Sequence, residues 1–503
     1  MSSSSSGRVP GSTLTPLSLV KHLDNKILID GGLVTPLSKK TFPVHNPATM
    51  EVIGQAAEAG AEDVDLAVKS ALKAQKEWRH MDAAKRGMLV SQCGELLEEH
   101  TDELARLMTL ETGKALRTES QVEASIFSNT FRFYGGLGLE LKGETIPFSD
   151  SMLTLTIREP LGVVGAIIAW NVPLLLMSLK VAPALVAGNS VVIKSAEEAP
   201  FAVLRAAEIM NTILPPGVLN VVSGNGPTTG ATLVHHPHVA KVTFTGSVEV
   251  GKEIYKHSSE KLVPVTLELG GKSPMIICED VDLPTVVEGA IASMRFTRQG
   301  QSCTAASRIF VHQSLFDQFL SLFKEKLNSL KMGDPMDLET DIGAIISPVQ
   351  HKKVQDYIDI GKATPGAVAY ECSTLPNDPK LAKGLFIRPV FFTGLPNSHK
   401  VCREEIFGPV TAIIPWSDFE DVLTQANDSD YGLAATLWTN NLHKALEGVH
   451  KLEAGLIQVN QNVVVQPGLS YGGTKSSGLG KEASLEAMLE HFTQKKTIVF
   501  NME

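Results

Sequence analysis

The chain lacks most of the features that mark specialised proteins. Its five cysteines, Cys93, Cys278, Cys303, Cys372 and Cys402, are odd in number, widely and irregularly spaced, and form no C-x-x-C pair. That argues against a disulfide framework or a structural zinc site and favours a reducing compartment, the cytoplasm. No block of five or six like charges occurs, and 45 basic against 55 acidic residues leave a net charge of −10. Nucleic acid and anionic membrane surfaces are therefore poor partners. The most apolar stretch, 162–193, is interrupted by Asn171, Pro173, Lys180, Pro183, Gly188 and Asn189, so no clean span of about 20 apolar residues survives. The first twelve residues are Ser- and Gly-rich without an apolar core; residues 1–20 read as a flexible tail and not as a secretory signal. No fixed-period repeat and no long linker is visible. What remains is the composition of a soluble globular protein, 43 % apolar and 20 % charged over 503 residues, a length that predicts two or three domains.

The N-terminal third reads as mostly helical. Val64, Ala67, Val68, Ala71, Ala74 and Trp78 fall at helical spacing over 63–78, with Asp63 as cap, and a Leu- and Glu-rich pattern between Met88 and Leu107 repeats it. From Gly162 the texture changes. Short β-branched runs at 162–168, 190–195, 217–224, 241–246 and 263–269 alternate with helical segments at 173–187, 200–213, 227–235 and 248–258. That alternation predicts βαβ crossovers and a parallel sheet covered on both faces. A second α/β series follows, with strands at 273–278, 308–313, 409–416, 435–439 and 455–460 and helices at 283–297 and 315–330.

Two segments carry chemistry. FTRQGQSCTAAS (296–307) sets Cys303 in a small, polar, Gly-containing stretch after a helix, where a ligand can reach a thiol and nearby dipoles can acidify it. Taken alone, a single cysteine is more often an inert core residue. TLELGGKSP (266–274) ends an apolar strand on Glu268 followed by Gly270 and Gly271, and parallel sheets build their sites at such carboxyl ends. The bland alternative is a solvated strand end. The three histidines His235, His236 and His238 surround Pro237 without a nearby Cys or carboxylate, which argues against a metal site.

Taken together, TLELGGKSP and GQSCTAASR resemble the active-site pair of the aldehyde dehydrogenase superfamily. AWNVP (169–173), KSAEEAP (194–200), GNGPTTG (224–230), FTGSVEVG (244–251), EEIFGPV (404–410) and SYGGTKSSGLG (470–480) match its other landmarks in order. The resemblance implies a Rossmann-like parallel-sheet cofactor domain (21–140 and 161–270), a second α/β catalytic domain (271–471) and a small β oligomerisation arm (141–160 and 485–503). It implies NAD(P)-dependent, non-acylating oxidation of an aldehyde to the carboxylic acid. Cys303 maps onto the nucleophile and Glu268 onto the general base, while the Asn171 amide and the Cys303 N–H form the oxyanion hole. Lys180 matches a lysine behind the active site, although a snorkelling lysine is the alternative. For the cofactor, Gly246 and Ser247 contact pyrophosphate at a helix N-terminus, and Gly226 lets the adenine side approach. Lys194 and Glu197 hold the adenosine ribose, Glu405 and Phe407 the nicotinamide ribose, Trp170 lines the nicotinamide pocket, and Ile168 and Leu269 join the set. A carboxylate at Glu197 repels a 2′-phosphate, so NAD is expected over NADP.

The chain also departs from the family. Ala169 stands where Pro is frequent, and Thr297 and Arg298 stand where many relatives carry Phe-Asn. With Val465 aligned to another common aromatic position and Tyr471 supplying one ring, the tunnel is expected to admit a bulky, aromatic or long-chain aldehyde. Arg295 or Arg298, pointing inward, would instead suit a semialdehyde acid. The competing readings are a CoA-acylating relative, a non-catalytic structural member and a cysteine hydrolase, for which no motif supplies the histidine. The segment 141–160 alternates like a hairpin turning at Asp150-Ser151, and 495–502 reads as a terminal strand. Left unpaired these edges invite aggregation, so a homodimer or homotetramer is expected.

Overall fold

The computed structural model describes residues 15–462 and 465–503. Five β-branched runs become the strands Val163–Ile167, Ser190–Lys194, Leu219–Val222, Val239–Thr245 and Val265–Glu268. They pair in parallel, and the first three are buried on both faces, as a parallel sheet covered by helices requires. Numbered in chain order, these strands lie 3-2-1-4-5 across the sheet. The order reverses between Val163–Ile167 and Val239–Thr245, which run side by side with Ile167 opposite Phe244. Open α/β sheets bind ligands in the crevice at the carboxyl ends of the strands flanking such a reversal. Here those ends lead into residues 168–171 and 246–247, which locates the site before any side chain is considered.

A second sheet of seven strands runs from Val368–Glu371 through Val390–Thr393, Val410–Trp416, Arg308–His312, Pro274–Ile277 and Ala434–Trp438 to Leu456–Val459. Only its first strand is antiparallel. The hairpin Thr145–Ser149 and Met152–Pro160 turns at Asp150-Ser151, and Thr493–Asn501 pairs antiparallel with its second strand along the full length. The apolar stretch near 162–193 resolves into strand, helix (Pro173–Val186) and strand, and no helix among the described residues is long and apolar enough to cross a membrane. Leu174, Met177, Val181 and Leu185 of that helix pack into one core with Phe127, Phe131 and Tyr134 of Gln121–Gly135, each such side chain contributing about 1.5–3 kcal/mol by burial.

Three expectations change, and one strand is added. Residues 1–14 of the expected tail lie outside the described residues, but Pro16–Leu23 is a helix capped by Thr15 that buries Leu19, Val20 and Leu23, so the tail does not extend to residue 20. Asp63 is not the N-cap of its helix; Gly60 is, and the Asp63 carboxylate reaches back to accept the Gly60 N–H at 2.9 Å. The pattern from Met88 to Leu107 is two helices, Ala83–Glu99 and Thr101–Thr112, broken at His100. Gly478–Leu479, far outside the run of sheet-forming sequence, adds an antiparallel edge to Val265–Glu268, and the Leu269 N–H donates to the Ser477 carbonyl at 2.8 Å.

Candidate active site

Glu268 is the last residue of its strand, opposite Thr245, and its side chain is buried with neither carboxylate oxygen hydrogen-bonded. Burial, then the nearby negative Glu482, push its pKa well above the usual carboxylate range, with Lys180 and Lys481 opposing. Such a carboxyl group is a strong base once ionised. The glycines that follow allow close approach: a Cβ on Gly271 would lie 2.2 Å from the Cys303 carbonyl oxygen. The loop bearing Cys303 therefore presses directly on the loop leaving Glu268.

Cys303 follows the short turn Phe296–Arg298, whose flanking Arg295 and Gln299 adopt positive φ. The residue is partly exposed and lines the cleft, and its Sγ lies 3.3 Å from the Tyr471 hydroxyl. Burial raises the thiol pKa to about 11; the Tyr471 hydrogen bond and Arg298 act against that rise, while Glu405 and Glu268 add to it.

Asn171 immediately precedes the Pro173–Val186 helix. Its Nδ2 donates to the Gln301 carbonyl at 3.3 Å, two residues before Cys303, and its own carbonyl accepts from Lys114 Nζ at 3.0 Å. Lys114 is ion-paired with buried Glu123. Glu123 Oε1 in turn accepts the Leu174 and Leu175 N–H groups at 2.9 and 3.2 Å, satisfying the start of the helix. Lys180, on the same helix, is completely buried and meets Glu482 Oε1 at 2.6 Å, so the snorkelling alternative is wrong for it.

The crevice at the strand reversal is a cleft that brings Trp170, Asn171, Gly246, Ser247, Leu269, Cys303, Glu405 and Phe407 together. Ser247 caps the Val248–Lys261 helix, its Oγ accepting the Val250 N–H at 3.3 Å, so the positive end of that helix dipole faces the cleft. At the other end the Trp170 and Phe407 rings meet edge to face, centroids 5.2 Å apart, and Glu405 Oε1 accepts the Gly271 N–H at 2.9 Å. A helix N-terminus for phosphates, a carboxylate for a ribose and an aromatic pair beside a thiol fit a nicotinamide dinucleotide. Ile168, Lys194, Glu197 and Gly226 lie outside the lining of this cleft. Lys194 and Ile168 are joined by an N–H to carbonyl bond of 3.2 Å, while Glu197 takes Lys194 Nζ on one oxygen and the Gly226 N–H on the other, each at 2.8 Å.

Several residues of the site escaped the sequence reading. Glu482 is the buried partner of Lys180, and a lone lysine inside an apolar helix was itself the signal that a distant carboxylate must exist. Gln350 and Lys353 line the cleft, and Gln350 Nε2 holds the Ile406 and Phe407 carbonyls. Glu119, buried, accepts from Thr297 Oγ1 and from Arg298 Nε at 2.6 Å, so the Arg298 charge is already matched and is not an open clamp. His236 is likewise engaged, with Asp65 at 3.3 Å.

Comparison with known proteins agrees with this geometry. Residues 34–498 match the model of the aldehyde dehydrogenase family. The chain is 39 % identical over 483 residues to a mitochondrial aldehyde dehydrogenase of Leishmania tarentolae, covering 96 % of each. It is also 39 % identical to retinaldehyde dehydrogenase 3 of Rattus norvegicus, covering 95 % of this chain and 93 % of that one. Among solved structures, the NAD+ complex of an aldehyde dehydrogenase from Bacillus cereus superposes with a TM-score of 0.93 at 37 % identity, over 98 % of this chain and 100 % of that one. With a Rossmann-like sheet and a cleft at its strand reversal that Cys303 lines, the chain belongs to the aldehyde dehydrogenase family, NAD(P)-dependent enzymes that oxidise aldehydes.

Proposed function

We propose that this enzyme oxidises a bulky aldehyde, aromatic or long-chain, to its carboxylic acid, with NAD preferred over NADP and water as the acyl acceptor. The observation that carries the reading is a partly exposed Cys303 sharing one cleft with Asn171, while a buried Glu268 with no hydrogen bond to its carboxylate lies within electrostatic range of it. In this reading Cys303 Sγ adds to the aldehyde carbonyl carbon, and Asn171 Nδ2 and the Cys303 N–H hold the oxygen as it takes up charge. NAD bound in the cleft supplies a hydride acceptor. Cys303 is left as a thioester, and Glu268 takes a proton from the water that hydrolyses it, freeing the thiol and the acid. Lys180 and Glu482 set the charge around Glu268.

Three features support the finer parts. Val465, like Cys303, packs against the apolar cluster that holds Tyr471, leaving aliphatic bulk where an aromatic ring would narrow the tunnel. Arg298 is neutralised by Glu119, which weighs against a carboxylated substrate. Glu197 stands braced by Lys194 and Gly226, a fixed carboxylate that disfavours a 2′-phosphate. The test is NADH formation from benzaldehyde and acetaldehyde, with and without CoA. Higher kcat/KM for benzaldehyde and no CoA dependence are expected; preference for acetaldehyde ends the wide-tunnel reading, and a CoA requirement ends the hydrolytic one.

The domain limits 21–140 with 161–270, 271–471 and the arm belong to the same proposal, as does assembly. The three-stranded arm exposes Phe148, Val499 and Phe500, apolar surface beside strand edges that a second copy of the chain would cover. Sedimentation should give a dimer or tetramer, and a stable monomer at micromolar concentration would overturn this. All five cysteines are free, which supports a reducing, cytoplasmic setting.

A further inference from the structure

The loop from Tyr471 to Glu482 touches both reacting groups at once. The Tyr471 hydroxyl lies 3.3 Å from Cys303 Sγ, and the next residue, Gly472 (φ +149), passes so near Glu268 that an added Cβ would stand 2.7 Å from its Oε1. The loop is pinned at both ends: Tyr471 and Glu482 exchange backbone hydrogen bonds of 2.9 and 2.7 Å, and the Glu482 side chain is the buried partner of Lys180. Lys481 Nζ donates to the Gly472 carbonyl. Tyr471 is therefore fixed by a backbone bridge and a buried ion pair, with its hydroxyl directed at the sulfur. Its ring is buried among Leu179, Leu433 and Ala483.

We propose that Tyr471 is a catalytic residue that donates its O–H to the Cys303 thiolate, stabilising and orienting the sulfur before attack. This rests on the reading of Cys303 as nucleophile. The donor direction follows from chemistry. A thiolate can only accept, and the phenol keeps its proton because burial, and then the nearby Cys303, Glu268 and Glu482, hold its pKa well above the ordinary tyrosine value. The bond matters because little else favours the thiolate. Glu405 and Glu268, whenever ionised, work against a Cys303 thiolate, and Arg298 provides an opposing positive charge that Glu119 already shares. Arg295, on the turn before the nucleophile, also lies within electrostatic range. Tyr471 is a direct hydrogen-bond partner of Sγ, and it is neutral, so it aids the thiolate without attracting a counter-charge into the cleft. When the sulfur attacks, its negative charge passes to the carbonyl oxygen and the hydrogen bond weakens; no proton leaves Tyr471.

The experiment measures the pH dependence of Cys303 alkylation by iodoacetamide, with the label located by peptide mass spectrometry, beside the kcat/KM profile for an aldehyde. Tyr471→Phe keeps the ring and deletes the donor. Loss of a hydrogen bond to a charged group should move the acid limb of both profiles up by about one pH unit, with alkylation about tenfold slower on that limb, while NAD binding is unchanged. Site-specific 3-fluorotyrosine at 471, the same shape with a more acidic phenol, should move the limb down. A uniform rate change with the limb fixed would mean the ring only fills space, and a downward shift in Tyr471→Phe would reverse the sign; either overturns the proposal. Failure of the nucleophile reading looks different, since the label would then fall elsewhere and Cys303→Ser would retain turnover.

Discussion

Glu482→Gln is the sharpest perturbation of the buried electrostatics. Lys180 Nζ and Glu482 Oε1 are 2.6 Å apart, with side chains 0 % and 1 % exposed, and Thr243 Oγ1 also donates to that oxygen at 3.3 Å. Removing one member of such a pair leaves an ammonium uncompensated in the interior, a change that costs about 3–5 kcal/mol where the pair is fully buried. Adding Lys180→Met should recover much of the loss by removing the stranded charge, so the two substitutions are strongly non-additive. The same change removes the negative neighbour that helps raise the Glu268 pKa and leaves Lys180 free to lower it. The acid limb of thioester hydrolysis should then move to lower pH. Urea midpoints at fixed protein concentration, which holds any assembly term constant, report the first effect, and single-turnover acid release against pH reports the second. A loss below about 1 kcal/mol, the value of an exposed pair, or a limb that moves upward would refute the reasoning.

Two further outcomes follow from the same geometry. Glu268 binds its proton more tightly in the folded than in the unfolded chain, so it favours the native state at low pH and loses that advantage as pH rises toward its raised folded value. Glu268→Gln should therefore be more stable than the parent, with the gain growing as pH rises above the ordinary carboxylate range; thermal unfolding as a function of pH checks it, and a gain that shrinks with pH contradicts it. Val465→Phe restores a ring beside Tyr471 and should lower the benzaldehyde to acetaldehyde ratio of kcat/KM several-fold, at about 0.8 kcal/mol per methylene of substrate bulk excluded; an unchanged ratio means that Val465 does not face the tunnel.

The periodic parts of the fold were legible in the sequence because period and burial agree there. The β-branched runs became strands within a residue or two, and the alternating 141–160 segment turned at Asp150-Ser151 as expected. The pieces that were not legible depend on contacts the local pattern does not contain. Gly478–Leu479 is a strand only because Val265–Glu268 offers an open edge. The break at His100 interrupts a Leu pattern that continues on either side of it. Within the site, motif residues lining the cleft could be named from sequence, whereas Glu482, Glu119 and Glu123 could not. Each is a single carboxylate whose role comes from a basic partner far along the chain or from helix N–H groups. Lys180 marked that gap, since a buried ammonium demands an anion.

The central claim is that aldehyde oxidation passes through a thioester on Cys303 that Glu268 clears. The direct test mixes Glu268→Gln with NAD and benzaldehyde, quenches in acid within a second, and maps the adduct by peptide mass spectrometry. The account predicts one NADH per active site, with an acyl group on the peptide containing Cys303 that is absent from Cys303→Ala. Normal steady turnover in Glu268→Gln, or an acyl group on any other residue, would contradict it.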